Sequence, residues 1–229
     1  MGEAVFVQKN GLMAVVAVGR CGLMTVDEFK GVAANLEKWE AAAVKLSSRQ
    51  TLVILVPEGK AALVKEDLIN LGLKVNTFGE AIRNVKACCG DAGLCKWTHA
   101  EALKLGMAIE EKFWGRATPD DFKIALSGCG RGCTDPLCAD FGAMGTRPGA
   151  FDVFIGGRGS TQRPIHGQRI AEAVSAEGVI EVLEWVLARY AALAKSKERL
   201  WTTIKRVGIE EFTPPPEMLE RYQVKQGKH

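Results

Sequence analysis

Phe122-Lys123-Ile124-Ala125-Leu126-Ser127-Gly128-Cys129-Gly130-Arg131-Gly132-Cys133 is the stretch whose reading decides the fold. A short apolar run, a buried-strand signal, feeds directly into a glycine-rich loop that carries a C-x3-C pair. Upstream, Asn84 to Cys95 is a second loop of this kind, with Cys89 and Cys95 at C-x5-C spacing beside Gly90 and Gly93. Between the loops, Ala100, Leu103, Met107 and Ile109 recur at helical spacing and predict a helix over 96–114. Two cysteine pairs thus sit on loops at strand ends. Six of the seven cysteines fall between Cys88 and Cys138, and such crowding in a reducing compartment points to ligation rather than disulfides.

Outward from this centre the chain reads as mixed α and β. Leu12 to Val18 is an apolar strand, and Thr25-Val26-Asp27-Glu28 fits a capping box that opens a helix with Phe29, Val32, Leu36 and Trp39 on one face. Ala42 to Leu46 and Thr51 to Val56 are strands joined at Ser47-Ser48-Arg49-Gln50. A helix through Leu63 to Leu71 ends at Gly72, and Leu73 to Phe78 is a last strand, completing a β-α-β-β-α-β split motif. Past the second cysteine loop, which extends to about Gly149, Phe151 to Ile155 is a strand. From Arg169 onward the pattern is helical, with Val179, Val182, Leu183, Val186, Tyr190 and Leu193 in register, then a short helix from Leu200 to Val207. Pro214-Pro215-Pro216 is expected to end ordered packing.

Composition excludes several classes. With 47% hydrophobic and 25% charged residues over 229 positions, the chain is an ordinary globular protein. A net charge of +3, spread along the chain, is too mild for a nucleic-acid footprint. No apolar run reaches the roughly 20 residues of a membrane span, and no secretory leader is seen, so a cytoplasmic protein is expected. Gly156-Gly157-Arg158-Gly159 lacks the strand–turn–helix context of a dinucleotide fingerprint.

Spacing leaves three readings of the cysteines. An iron–sulfur cluster needs four thiolates and benefits from glycines that let amides approach the sulfides. Structural zinc prefers tight knuckles, which C-x5-C fits poorly. Inert buried thiols fit poorly too, because these cysteines stand in glycine-flanked loops. Cys21 and Cys138 read as structural thiols, and Cys88 competes with Cys89 as the first member of the upstream pair. His99 reads as a packed or surface histidine, with a role as a metal ligand kept open, and His166 as a residue of a basic loop.

The combined motifs resemble the siroheme and 4Fe–4S domain of the sulfite and nitrite reductases. The C-x5-C loop, the helix and the quoted stretch carry the likeness, as do Ala139 to Gly145 and Phe151 to Arg158. It extends to Leu46-Ser47-Ser48-Arg49-Gln50-Thr51, to Arg83-Asn84-Val85, and to Glu198-Arg199-Leu200, covering roughly residues 12 to 212. The resemblance implies an α+β fold. Residues 1–80 would form a ferredoxin-like half domain, 81–212 the α/β siroheme and cluster domain with its C-terminal helices, and 213–229 a polar tail.

It also implies cofactors and roles. Cys89, Cys95, Cys129 and Cys133 would hold a 4Fe–4S cluster, with the Cys133 thiolate shared with siroheme iron. Arg49, Arg83, Arg131 and Arg158 would contact siroheme carboxylates, and Arg49, Arg83 and Lys123 would serve the reacting anion. The expected activity is six-electron reduction of sulfite, or of nitrite, with electrons from a ferredoxin-like donor. The alternatives are an electron-transfer or tetrapyrrole-binding protein, or a subunit of a larger complex, without reductase activity.

The chain departs from the family pattern in three ways. The family's P-R-K-F-K is here Pro119-Asp120-Asp121-Phe122-Lys123, so a carboxylate replaces a lysine. Arg131 stands where an asparagine is common. Only one of the two halves of the large enzymes is present, like the small assimilatory-type sulfite reductases, so the pocket is expected to be closed by a second copy or another subunit, or to stay more open.

Overall fold

The computed structural model describes residues 2–91, 93–159 and 161–225. The chain forms two compact units, residues 1–79 and 80–229. In the first unit β1 (Gly2–Glu3) and β2 (Val5–Val7) precede β3 (Met13–Val18), α1 (Val26–Asn35), β4 (Ala43–Leu46), β5 (Leu52–Val56), α2 (Ala61–Asn70), β6 (Lys74–Val75) and β7 (Thr77–Phe78). The main sheet is antiparallel, in the order β2-β3-β5-β4, with β6 also on β3. The predicted capping box is present, since the Glu28 amide donates to Thr25 Oγ1 (3.1 Å) and the Thr25 amide to Glu28 Oε2 (2.6 Å).

Alternation along β5 buries Leu52, Ile54 and Val56 against Val32, Val64 and Leu68 of the two helices. Trp39 is wholly buried, and its indole N–H donates to Asp67 (2.7 Å), which also receives Lys38 (2.8 Å). The Lys38 and Trp39 hydrogen bonds hold the Asp67 carboxyl below its ordinary range. The strand expected over 73–78 is split. β6 takes only the end of β3 (Ala17 and Val18), because β2 pairs with Met13 to Val15, while β7 turns to pair with β1.

The second unit contains β8 (Lys86–Ala87), α3 (Ala102–Phe113), β9 (Ile124–Ser127), β10 (Phe141–Arg147), β11 (Ala150–Ile155), β12 (Gln168–Val174), α4 (Ala176–Leu193), α5 (Leu200–Val207) and α6 (Pro216–Tyr222). Its sheet has the order β12-β11-β10-β9-β8. β8, β9 and β10 run parallel, and β11 and β12 add antiparallel. Parallel neighbours need a crossover; α3 supplies it between β8 and β9, and the second cysteine loop supplies it between β9 and β10. All four β9 residues are buried, as expected for a central strand covered on both faces.

Several stretches of this unit differ from the sequence reading. β8 and β10 lie inside segments read as loops, since two residues, or a strand with Gly142 and Gly145, give little periodicity. β12 lies where helix was expected: Ala171-Glu172-Ala173 favours helix, and register shifts against β11 break the two-residue alternation. The helix expected from Lys96 begins only at Ala102, because the His99 and Ala100 amides are committed to the Gly128 carbonyl (2.7 and 3.1 Å). The triple proline does not end ordered packing. Pro216 opens α6, where its missing N–H costs nothing, and the Val224 amide donates to Ala173 (2.8 Å). Residues 226–229 of the expected tail lie outside the described residues.

Glycine contacts fix the edge of this sheet where the cysteine loops emerge. A Cβ on Gly128 would lie 2.3 Å from Thr98 Oγ1, 2.7 Å from the Ala100 carbonyl and 3.0 Å from Gly90 Cα. A Cβ on Gly90 would meet Gly128 Cα at 2.9 Å, and one on Gly145 would meet the Gly128 carbonyl at 2.3 Å. Three backbones therefore cross where no side chain fits.

Gly128→Ala is expected to destabilise the second unit by about 3 kcal/mol, the upper end of overpacking costs. Gly130→Ala, with nothing within 4 Å of the added methyl, is the control. Equal urea midpoints for the two variants would contradict the crossing.

A second prediction concerns Glu198, which receives Arg206 through both oxygens (3.0 and 2.6 Å) and the Lys195 amide (2.9 Å). The Arg206 hydrogen bond is the main cause that lowers its pKa to about 2. A depressed carboxyl adds stability that is present above the unfolded value, near 4.3, and lost as pH falls through the folded one. The Glu198 carbon resonance should therefore titrate near 2 and move upward in Arg206→Gln; an ordinary midpoint in the unsubstituted protein would refute the pairing.

Candidate active site

β8 and β9 are parallel neighbours, so the loops that leave them emerge side by side. The Cys88 amide donates to the Leu126 carbonyl (3.0 Å), continuing the ladder into the first loop. Cys88 Sγ accepts from the Gly90 and Gly128 amides, both at 3.2 Å, one from each loop. Burial pushes the Cys88 thiol up, the two amides oppose this, and the Cys133 and Cys89 sulfurs add to the rise. Cys129 is buried, Cys95 is half-buried, and Cys89 and Cys133 are exposed. Gly132 turns the second loop at φ +62°, and its amide donates to the Cys129 carbonyl (3.3 Å).

The backbone here fits an iron–sulfur cluster. Both loops share one edge, and amides from both aim at a sulfur, the donor pattern that offsets a cluster's negative charge. The thiols themselves do not stand as a closed ligand set. Among the described residues, no three or more His, Cys, Asp or Glu side chains are grouped to hold a metal ion. Cys88, the competitor of Cys89 for the first position of the upstream pair, is the sulfur on which the amides of both loops converge.

Arg131 shares the second loop with Cys133, and its guanidinium carbon lies 4.4 Å from the Trp97 ring centre, with Lys96 Nζ at 5.0 Å. Trp97, within the span expected to be helical, is 52% exposed on the loop before α3. His99 lies on that loop too, beside a groove lined by Lys104, Phe151 and Glu177. Arg49 lies in the first unit, in the β4–β5 turn. There the Ser47 and Thr51 hydroxyls pair at 2.6 Å, and the Arg49 amide donates to Ser47 Oγ (3.1 Å).

Arg83 and Lys123 stand at the other edge of the second sheet, before the first residues of β8 and β9. Lys123 and Cys129 flank β9 six residue steps apart, at most roughly 20 Å at about 3.3 Å per extended residue. The structure thus brings Arg83 and Lys123 together, but not to the cysteine loops. Their meeting point is Asp121: Arg83 Nη2 is 2.5 Å from one oxygen, and Arg199 Nη1 and Lys123 Nζ are 3.3 and 3.5 Å from the other. Arg199 also grips Asp140 through both carboxylate oxygens (2.7 and 3.0 Å), and the Lys123 amide donates to Asp140 (2.9 Å). Asp140 has no solvent exposure. Burial pushes its carboxyl up, against the pull of Arg199.

Arg158 extends past β11 toward the same edge, its guanidinium 5.0 Å from the Trp201 ring centre. With Lys195, Lys197 and Arg199 it lines a basic pocket of about 350 Å³. Sequence reasoning noticed Arg199 and Asp140 only as parts of matching strings. What it lacked was the topology that folds the start of α5 against the starts of β9 and β10.

Comparisons with known proteins agree with this architecture. Residues 78–218 match the family described as "Nitrite and sulphite reductase 4Fe-4S domain". The assimilatory-type sulfite reductase of Nitratidesulfovibrio vulgaris is 28% identical over 86% of this chain and 88% of its own length. The NAD(P)H nitrite reductase of Bacillus subtilis is 28% identical over 89% of this chain, which spans only 25% of that relative. Among solved structures, dissimilatory sulfite reductase I superposes with a TM-score of 0.77 at 14% identity, covering 95% of this chain and 72% of that one. The Mycobacterium tuberculosis NirA protein gives 0.73 at 21% identity, over 92% of this chain and 41% of its own. At these identities the two structures establish the fold. The chain belongs to the nitrite and sulphite reductase 4Fe–4S domain family, whose enzymes carry siroheme and a 4Fe–4S cluster.

Proposed function

We propose that this chain is a small siroheme-dependent reductase that takes sulfite to sulfide, or nitrite to ammonia, with electrons from a ferredoxin-like donor. The observation that carries the reading is the convergence of two cysteine loops at one sheet edge, with amides from both on the Cys88 sulfur. Cys95, Cys129 and Cys133, with Cys89 or Cys88, would hold the cluster, and Cys133 would be the thiolate shared with siroheme. When bound, the two groups supply the electron path and the iron that takes the anion.

The chain's own residues would do the rest. Arg131, beside Cys133, would leave the Trp97 ring to pair a tetrapyrrole carboxylate, and Arg158, at the far edge with Lys123, would take a carboxylate of a siroheme held by a second copy. Arg49, Arg83 and Lys123 would hold the anion and feed protons as oxygen leaves. HSO3⁻ needs six electrons and six protons to become HS⁻ and three waters, so a positive pocket serves both demands. Because Arg83 and Lys123 lie at the far edge from Cys133, a second copy of the chain or another subunit would complete the pocket.

One observation favours a second reading, an electron carrier or a subunit with no reductase activity of its own: Asp121 already occupies the three cations. An absorption spectrum of the anaerobically purified protein separates the two. Siroheme bands, four irons beyond the siroheme iron, and sulfite consumption with reduced viologen are expected. Four irons without tetrapyrrole would leave an iron–sulfur carrier and sink the reductase. Cys133→Ser should lose both the cluster and its coupling to siroheme; retention of both would refute the bridging role.

A further inference from the structure

Three basic side chains from three separate segments converge on one carboxylate at the Lys123 edge of the second unit. Arg83 precedes β8, Lys123 precedes β9 and Arg199 precedes α5, and each has a charged nitrogen 2.5 to 3.5 Å from an Asp121 oxygen. The group is half-sheltered. Side-chain exposure is 13% for Arg83, 18% for Asp121, 23% for Lys123 and 24% for Arg199, so these charges are screened less than surface pairs.

Three carboxylates act on these cations: Asp120, whose charge reaches Arg199, and Asp121 and Asp140, which differ in kind. Asp140 is sealed from solvent, and its oxygens are engaged by Arg199 and by the Lys123 amide, so it is part of the frame. Asp121 reaches solvent, and its two oxygens bridge cations in the way a small oxyanion would. A planar carboxylate and a sulfite, nitrite or sulfate ion offer the same recognition chemistry: one or two negative charges on oxygens about 2.2 to 2.5 Å apart, suited to guanidinium forks.

We propose that Asp121 is a resident oxyanion of this cationic site and the residue that sets its affinity for small inorganic oxyanions. This rests on the reading that Arg83 and Lys123 serve an anion. While the Asp121 carboxylate is in place, the three cations are offset and a free oxyanion binds only by displacing it. Removing its charge shifts the balance around Arg83, Lys123 and Arg199 toward positive, with Asp140 still holding Arg199 and Asp120 still within its field. Asp121 is thus a specificity-determining residue, not a group that touches the reacting atoms.

Inorganic sulfate is the probe, because it shares the oxyanion chemistry and its binding can be read without turnover. Thermal unfolding of the purified protein is followed against sulfate, with chloride at matched ionic strength as the reference. Asp121→Asn should bind sulfate at least tenfold more tightly than the unsubstituted protein, whereas Asp121→Glu, which keeps the charge, should not. Asp121→Ser repeats the test without an amide that could itself reach the arginines. A variant that folds only with sulfate supports the proposal. Equal sulfate response in all forms, or failure of both neutral variants to fold at any sulfate concentration, overturns it and leaves Asp121 a structural clamp. The response does not require siroheme, so a protein lacking the tetrapyrrole could lose the reductase reading and still pass or fail this test.

Discussion

The close passage of Gly90, Gly128 and Gly145 is the contact on which the second unit's chemistry depends. Two loops leave parallel strands side by side, and only residues without a Cβ let their backbones touch and point amides at one sulfur. Add a methyl at Gly128 and it collides with the Thr98 hydroxyl and the Ala100 carbonyl. The Gly128 carbonyl in turn accepts from the His99 and Ala100 amides and so delays the start of α3. Local backbone geometry, more than any single cysteine, brings both loops and their amides to this edge.

The opposite edge is organised by charge. Arg199 links Asp140, buried at the start of β10, to Asp121 before β9, and Asp121 reaches across to Arg83 before β8. A buried carboxylate is costly unless it is paired and hydrogen-bonded, and Asp140 meets that condition through Arg199 and the Lys123 amide. The sheet therefore has two chemically distinct ends, one of sulfur and amides, the other of arginine, lysine and aspartate. They are separated by the length of a four-residue strand and its flanks.

Much of this was legible in the residues. The capping box at Thr25, the alternation in Leu52 to Val56 and the long apolar stripe of α4 are local patterns, and local patterns survive into the fold. So did the downstream cysteine pair at the end of β9, whereas the strand before the upstream pair, β8, was not read. Less legible was whatever depends on pairing at a distance. β8 is two residues long, β12 is broken by register shifts, and β6 shares the edge of β3 with a segment near the N-terminus. Grouping Arg83 and Lys123 with Cys133 followed from motif likeness. Strand direction is what separates them, and direction is not written in a motif. The exchange of a lysine for Asp121 was visible, but its three partners were not.

Anomalous diffraction at the iron edge, from crystals of the anaerobically purified protein, is the most direct measurement of where the chemistry sits. A compact iron constellation within bonding distance of Cys95, Cys129, Cys133 and one of Cys88 or Cys89, at the edge where β8 and β9 end, is the predicted result. Iron elsewhere in the chain, or bound to fewer than three of these thiols, would contradict it.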